Sequence, residues 1–211
     1  MSHLHASTPP PEAVTTGVRI ARWVSCILHP MVLQLVVLVL SAQGGNEQLL
    51  AAVLGFALPV VVYTFYLVRV KGYKDPWRLE RKFRFVPIAC NMAGILALLA
   101  LNPSTNLEFL LTYIVVLNLF VFAVTLFFKI SLHATGVAST GVWLLLVYSE
   151  TLQEAGLAEG APLLSLTLLM LVMWARLRLR AHTPQEVFAG SLAGTLLPLI
   201  YAFVLAPLLG L

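Results

Sequence analysis

Charge is scarce in this sequence. Asp, Glu, Lys and Arg supply 10% of its 211 residues, where a soluble domain carries about 25%. So few charges cannot cover the surface of a water-soluble protein. With 60% hydrophobic residues and a mean hydropathy of +0.92, the expected solvent is lipid. Cysteine is nearly absent as well. Cys26 and Cys90 each stand in an apolar run, which argues against a disulfide framework or a cysteine metal centre and leaves two small hydrophobes. Residues 1–17 lack the basic stretch of a signal peptide. The apolar run after them is too long for a signal core and closes on no small-x-small cleavage site, so a polar disordered tail is expected ahead of a retained membrane helix. No internal repeat or low-complexity linker divides residues 18–211, and one transmembrane helical domain is expected there. The net charge of +4 and pI near 9.3 are too mild to point to nucleic acid.

What is abundant is long apolar runs. A spanning helix needs about 20 mainly apolar residues, and the candidates are 18–41, 48–70, 86–102, 108–128, 130–149, 162–179 and 184–208. The expected fold class is an all-α polytopic membrane protein, a bundle of six to seven transmembrane helices. The third run is short, the fifth is rich in small and hydroxyl residues, and Pro198 and Pro207 fall late in the seventh. Between the runs, 71–85 is dense in charge, and 150–161 is acidic and is expected to form a small helical cap or loop. Threading seven spans places all 13 Lys and Arg residues on one side. The other side receives Glu47, Glu108, Glu150, Glu154 and Glu159 and no basic residue. The positive-inside rule puts the basic side, with the N-terminus, in the cytoplasm.

Three segments on that basic side hold most of the reactive side chains: 74–87, 129–136 and 176–190. His182 is followed by Thr183, Pro184, Gln185 and Glu186, a helix-start signature with Thr at the N-cap, Pro at N1 and Glu at N3. Glu186 either completes a capping box only, or also holds the His182 imidazole as base or nucleophile; the two roles are compatible. Arg176 follows Trp174 and lies deeper than Arg178 and Arg180, which read as helix-end anchors. A charge within the membrane costs about 2.5–3.5 kcal/mol on insertion scales and so takes a partner, and phosphate suits a planar guanidinium. His133 lies just inside the fifth run, after Lys129 and Ser131. A helix start offers backbone N–H groups to an anion, and an imidazole there can protonate a leaving oxygen. His29, before Pro30, reads as structural, and His3 and His5 form only a weak metal signal. Gly190 and Gly194 are spaced to seat close helix packing, within or between chains.

Together these segments resemble the type 2 phosphatidic acid phosphatase (PAP2) superfamily, which carries K-x6-R-P, P-S-G-H and S-R-x5-H-x3-D at one membrane face. The third motif is matched by Arg176, His182 and Glu186, followed by Val187 and the small pair Ala189-Gly190. The second is matched at Ser131 and His133, with Ile130 and Leu132 in place of Pro and Gly. The first has its spacing in Lys74 and Arg81, with Pro87 arriving late. Arg81, Arg84 and Pro87 also resemble the R-E-E-R-x-I-P of a divergent bacterial branch, as His29-Pro30 resembles its early His-Pro. The likeness runs over about 29–194.

The resemblance implies that family's helical bundle in a bacterial inner membrane. It implies metal-independent hydrolysis of a lipid or polyprenyl phosphomonoester through a phospho-histidine, with no cofactor. His182 would be the nucleophile, His133 the general acid and Glu186 the orienting group. Arg176, Ser131, Lys74, Arg81 and Arg84 would hold the phosphoryl oxygens. The partner would be an amphiphilic phosphorylated lipid, its head at the basic face and its tail in the bilayer. Three departures bear on this: Ala175 replaces the motif's Ser, Leu132 adds bulk where Gly allows close approach, and Glu186 is one methylene longer than Asp. They open a second expectation, a catalytically degenerate protein on the same scaffold that binds phospholipid or a membrane partner. A transporter or channel is the third, and the absence of paired broken helices in two matching halves weighs against it.

Overall fold

An apolar chain in lipid must satisfy its backbone polar groups internally. In the computed structural model, which describes residues 15–41, 58–70, 72, 85–101 and 103–211, it does so with helices, and no strand occurs among these residues. The helices are α1 (Thr16–Ile27), α2 (Pro30–Ser41), α3 (Leu58–Arg69), α4 (Phe85–Leu99), α5 (Thr105–Phe127), α6 (Leu132–Val147), α7 (Ser149–Glu154), α8 (Gly160–Arg178) and α9 (Pro184–Ile200). Helix α9 continues through a widened π turn, Tyr201–Leu205, into a last turn at Ala206–Leu209. Among the described residues four stretches are long and apolar enough to cross a membrane: Thr16–Ser41, Thr105–Phe127, Gly160–Arg178 and Pro184–Leu209. Helices α4 and α6 are apolar but shorter.

Two of the expected runs differ in detail. The first is broken after Ile27, because Pro30 brings no N–H and crowds the preceding turn. Leu28 N–H still reaches Val24 O at 2.9 Å, and the His29 ring accepts the Met31 N–H on Nδ1 at 3.3 Å to start α2. The seventh run keeps its course at Pro207 by the π turn before it, where Ala206 N–H donates to Tyr201 O. The acidic 150–161 segment contains the short helix α7, as expected. The tail up to residue 14, residues 48–57 of the expected second run and nearly all of the basic 71–85 segment lie outside the described residues. Lys74, Arg81 and Arg84 are among them.

Helix α6 is the hub, packed by α2, α8 and α9. Its small residues make that possible, since helices in lipid associate by close packing rather than by a hydrophobic drive. A Cβ added at Gly190 would lie 2.7 Å from Ser131 O, and one at Gly194 would collide with the Thr135 carbonyl. The Gly190–Gly194 spacing is therefore used inside the chain, to bring α9 against α6. Gly136 does the same for α2, where an added Cβ would sit 2.8 Å from Pro30 Cβ. At the opposite end Trp143 stacks on Tyr113, Tyr201 tilts against Tyr113, and Trp143 and Tyr201 both tilt against Phe109; Tyr201 donates to Phe109 O at 3.1 Å. Gly194→Ala is expected to cost about 1–3 kcal/mol by forcing α9 off α6. Thermal unfolding in detergent checks it against Gly160→Ala, whose new methyl meets nothing within 4 Å.

Candidate functional site

His182 is placed by two helix ends. Helix α8 closes with Arg180 N–H donating to Leu177 O at 2.9 Å and Ala181 N–H to Arg176 O at 3.1 Å. Arg180 takes a left-handed φ of 48° between them. This is the paired closure of a Schellman motif, and it turns the chain back toward the bundle. Thr183 then opens α9. Its hydroxyl accepts the Glu186 N–H and Glu186 Oε2 accepts the Thr183 N–H, both at 3.3 Å. The same Oε2 meets His182 Nδ1 at 2.6 Å. One carboxylate oxygen thus completes the capping box and holds the imidazole, so both roles read from the sequence coexist. Holding Nδ1 leaves Nε2 as the reactive ring nitrogen.

The start of α6 is fastened to the same turn. Ser131 N–H donates to Glu186 O at 3.0 Å, and Lys129 Nζ donates to Ala181 O at 3.3 Å. Ser131 Oγ caps α6 by accepting the Ala134 N–H at 3.4 Å, and the residue is fully buried. Two residues on, His133 is 6% exposed, beside His182 at 8% and Arg176 at 1%. Arg178 and Arg180, by contrast, are exposed. Arg176 Nη1 donates to Ser25 Oγ at 3.4 Å, and the Ser25 backbone hydrogen-bonds the His133 ring. His133 lies in the electrostatic field of Arg176, His29 and His182 together. Its Nε2 is buried and has no hydrogen-bond partner among the described residues. The His29 ring stands edge-on to it, centroids 5.0 Å apart and planes at 89°.

His29, His133, Arg176 and His182 line one cavity of about 710 Å³, which extends between α2, α3, α4, α5 and α6 with mostly apolar walls. Ser131 and Glu186 stand behind the wall rather than on it. Arg69 is on it, its guanidinium 5.9 Å from the Phe65 ring centroid. No family model, curated protein or solved structure matches the chain. What the site can do follows from its own geometry. Among the described residues no group of three or more His, Cys, Asp and Glu forms a metal-binding cluster. The wall instead offers a carboxylate-backed imidazole, a second imidazole and buried guanidinium N–H groups, a set that fits an oxyanion and a proton transfer.

Of the residues singled out in the sequence, His133, His182 and Arg176 share that wall, Glu186 and Ser131 support it, and Lys74, Arg81 and Arg84 lie outside the described residues. Three further residues bear on the site. His29 reads in the sequence as structural, and it does start α2, but its ring also faces His133. Arg69 reads in the sequence only as one of the basic residues gathered on one side. Ser25 carries a signal: with Ala21 it makes a pair of small residues four positions apart on α1, both buried where α1 meets α8.

Proposed function

We propose that the protein is a membrane lipid phosphohydrolase resembling the type 2 phosphatidic acid phosphatases. The observation that carries the reading is the carboxylate-held His182, at 2.6 Å from Glu186, on one cavity wall with His133 and Arg176. In this reading His182 Nε2 attacks phosphorus and the ester P–O bond breaks. The alkoxide leaves with a proton from His133, and His133 regains one from the water that then hydrolyses the phospho-histidine to release inorganic phosphate. Arg176 binds the non-bridging oxygens, whose charge shifts in the transition state. The substrate is a lipid or polyprenyl phosphomonoester: its headgroup meets the polar end and its chain fills the apolar remainder of the cavity.

The reading completes the fold with α3, α4 and α6 as further crossings, which gives seven spans. It sets the end with Arg19, Arg22, Lys129 and Arg178 on the cytoplasmic side of a bacterial inner membrane. The test is inorganic phosphate released from phosphatidate, phosphatidylglycerol phosphate and polyprenyl phosphate by the purified protein and by His182→Ala. Equal rates sink the proposal. A second reading, lipid binding without turnover, is favoured by Leu132, whose bulk lies on the cavity wall next to His133. It predicts retention of the same lipids with no phosphate release.

A further inference from the structure

Below the histidines the cavity carries a polar line that the phosphate chemistry does not use. Asn118 Nδ2 donates to Ile114 O at 2.9 Å and to Asn91 Oδ1 at 3.2 Å. Asn91 Nδ2 donates to Gln34 Oε1 at 3.3 Å. The three amides come from α5, α4 and α2, and all three line the cavity. Amides in an apolar setting are costly unless hydrogen-bonded, and helix packing alone would be served by apolar side chains.

The ladder has a direction. A backbone carbonyl can only accept, so Ile114 O fixes Asn118 with its NH₂ toward that carbonyl, and each amide after it presents oxygen backward and NH₂ forward. The forward end is Gln34 Nε2, and among the described residues no acceptor meets it. The ladder therefore ends in N–H donors on the cavity wall. Gln34 follows His29, the residue that opens α2, by five positions, a rise of about 7.5 Å at the helical repeat. A glycerolipid carries its ester carbonyls at a comparable distance from its phosphorus. An ether-linked lipid and a polyprenyl chain have no acceptor of that strength there.

We propose that Gln34, held by Asn91 and Asn118, is a specificity subsite that donates to an ester carbonyl of the bound lipid. It favours diacyl glycerolipid phosphates over ether-linked or isoprenoid ones. The subsite rests on the phosphohydrolase reading only for the position of the headgroup. The experiment compares phosphate release from dioleoyl phosphatidate and its dialkyl ether analogue by wild type and Gln34→Met. Retention of both lipids on His182→Ala and on His182→Ala combined with Gln34→Met is read in parallel by native mass spectrometry. One neutral hydrogen bond sets the scale: wild type should prefer the diacyl lipid by about tenfold, and Gln34→Met should bring the ratio to about one. Gln34→Asn, which keeps the amide but withdraws it by one methylene, should also erase the preference and serves if the Met variant does not fold. Equal handling of the two lipids by wild type, or a preference that survives both variants, overturns the subsite. A diacyl preference in retention that Gln34 controls, with no phosphate released from any lipid, upholds the subsite and overturns the phosphohydrolase reading.

Discussion

Replacing His182 by alanine should lower phosphate release by at least about 10³-fold while the protein still retains lipid phosphate. Losing one member of a unit that acts together costs about as much as losing several. His133→Ala should fall by about 10²–10⁴-fold, the usual contribution of a general acid, and the double variant should fall little further. Glu186 offers the sharper cut, because its carboxylate does two things at once. Glu186→Gln retains an amide oxygen for the Thr183 N–H, and glutamine serves at this position of a capping box. It removes the charge that fixes the His182 tautomer, and a comparable loss in a catalytic triad costs about 10⁴. Activity should therefore collapse with the unfolding temperature nearly unchanged. If Glu186→Gln leaves both alone, Glu186 is a cap and nothing more, and His182 is not the nucleophile.

The parts of this site that lie close in sequence were legible, and the parts that meet across helices were not. Thr183, Pro184 and Glu186 announce a helix start by their own spacing, and His182 four residues before Glu186 is delivered by the same local geometry. The burial of Arg176 against the exposure of Arg178 and Arg180 followed from depth along one apolar run. His29 is different. Pro30 marks a break in the run, but nothing in that segment tells that the ring at the break faces His133 on α6. Ser25 likewise acquires its role only when α1 lies on α8 and meets Arg176. The amide ladder joins positions 34, 91 and 118, and each alone reads as an isolated polar residue in an apolar run. Membrane helices also hide their facing. Lipid and core are both apolar, so hydrophobic periodicity, which orients a helix in a soluble protein, carries little information here.

Arg176→Met should weaken activity and leave the fold at least as stable. Arg176 is 1% exposed, and methionine replaces its aliphatic stem while leaving out the charged head. A buried cation kept for packing would be a poor choice, since apolar replacements of buried ionic groups are often neutral or stabilising. A cation kept to bind an anion makes the opposite trade: function is lost and stability is held or gained. Hydrogen bonds to charged groups contribute about 1.5–3 kcal/mol each. Removing a guanidinium that forks onto two phosphoryl oxygens should then lower kcat/KM by at least about 10²-fold. Arg176→Lys should recover only part of this, because an ammonium restores the charge without the planar fork. Phosphate release and thermal unfolding, measured on the three proteins side by side, separate the cases. A large drop in unfolding temperature for Arg176→Met, with Arg176→Lys restoring stability and activity together, would make Arg176 a structural cation tied to Ser25 and remove the oxyanion site from the cavity.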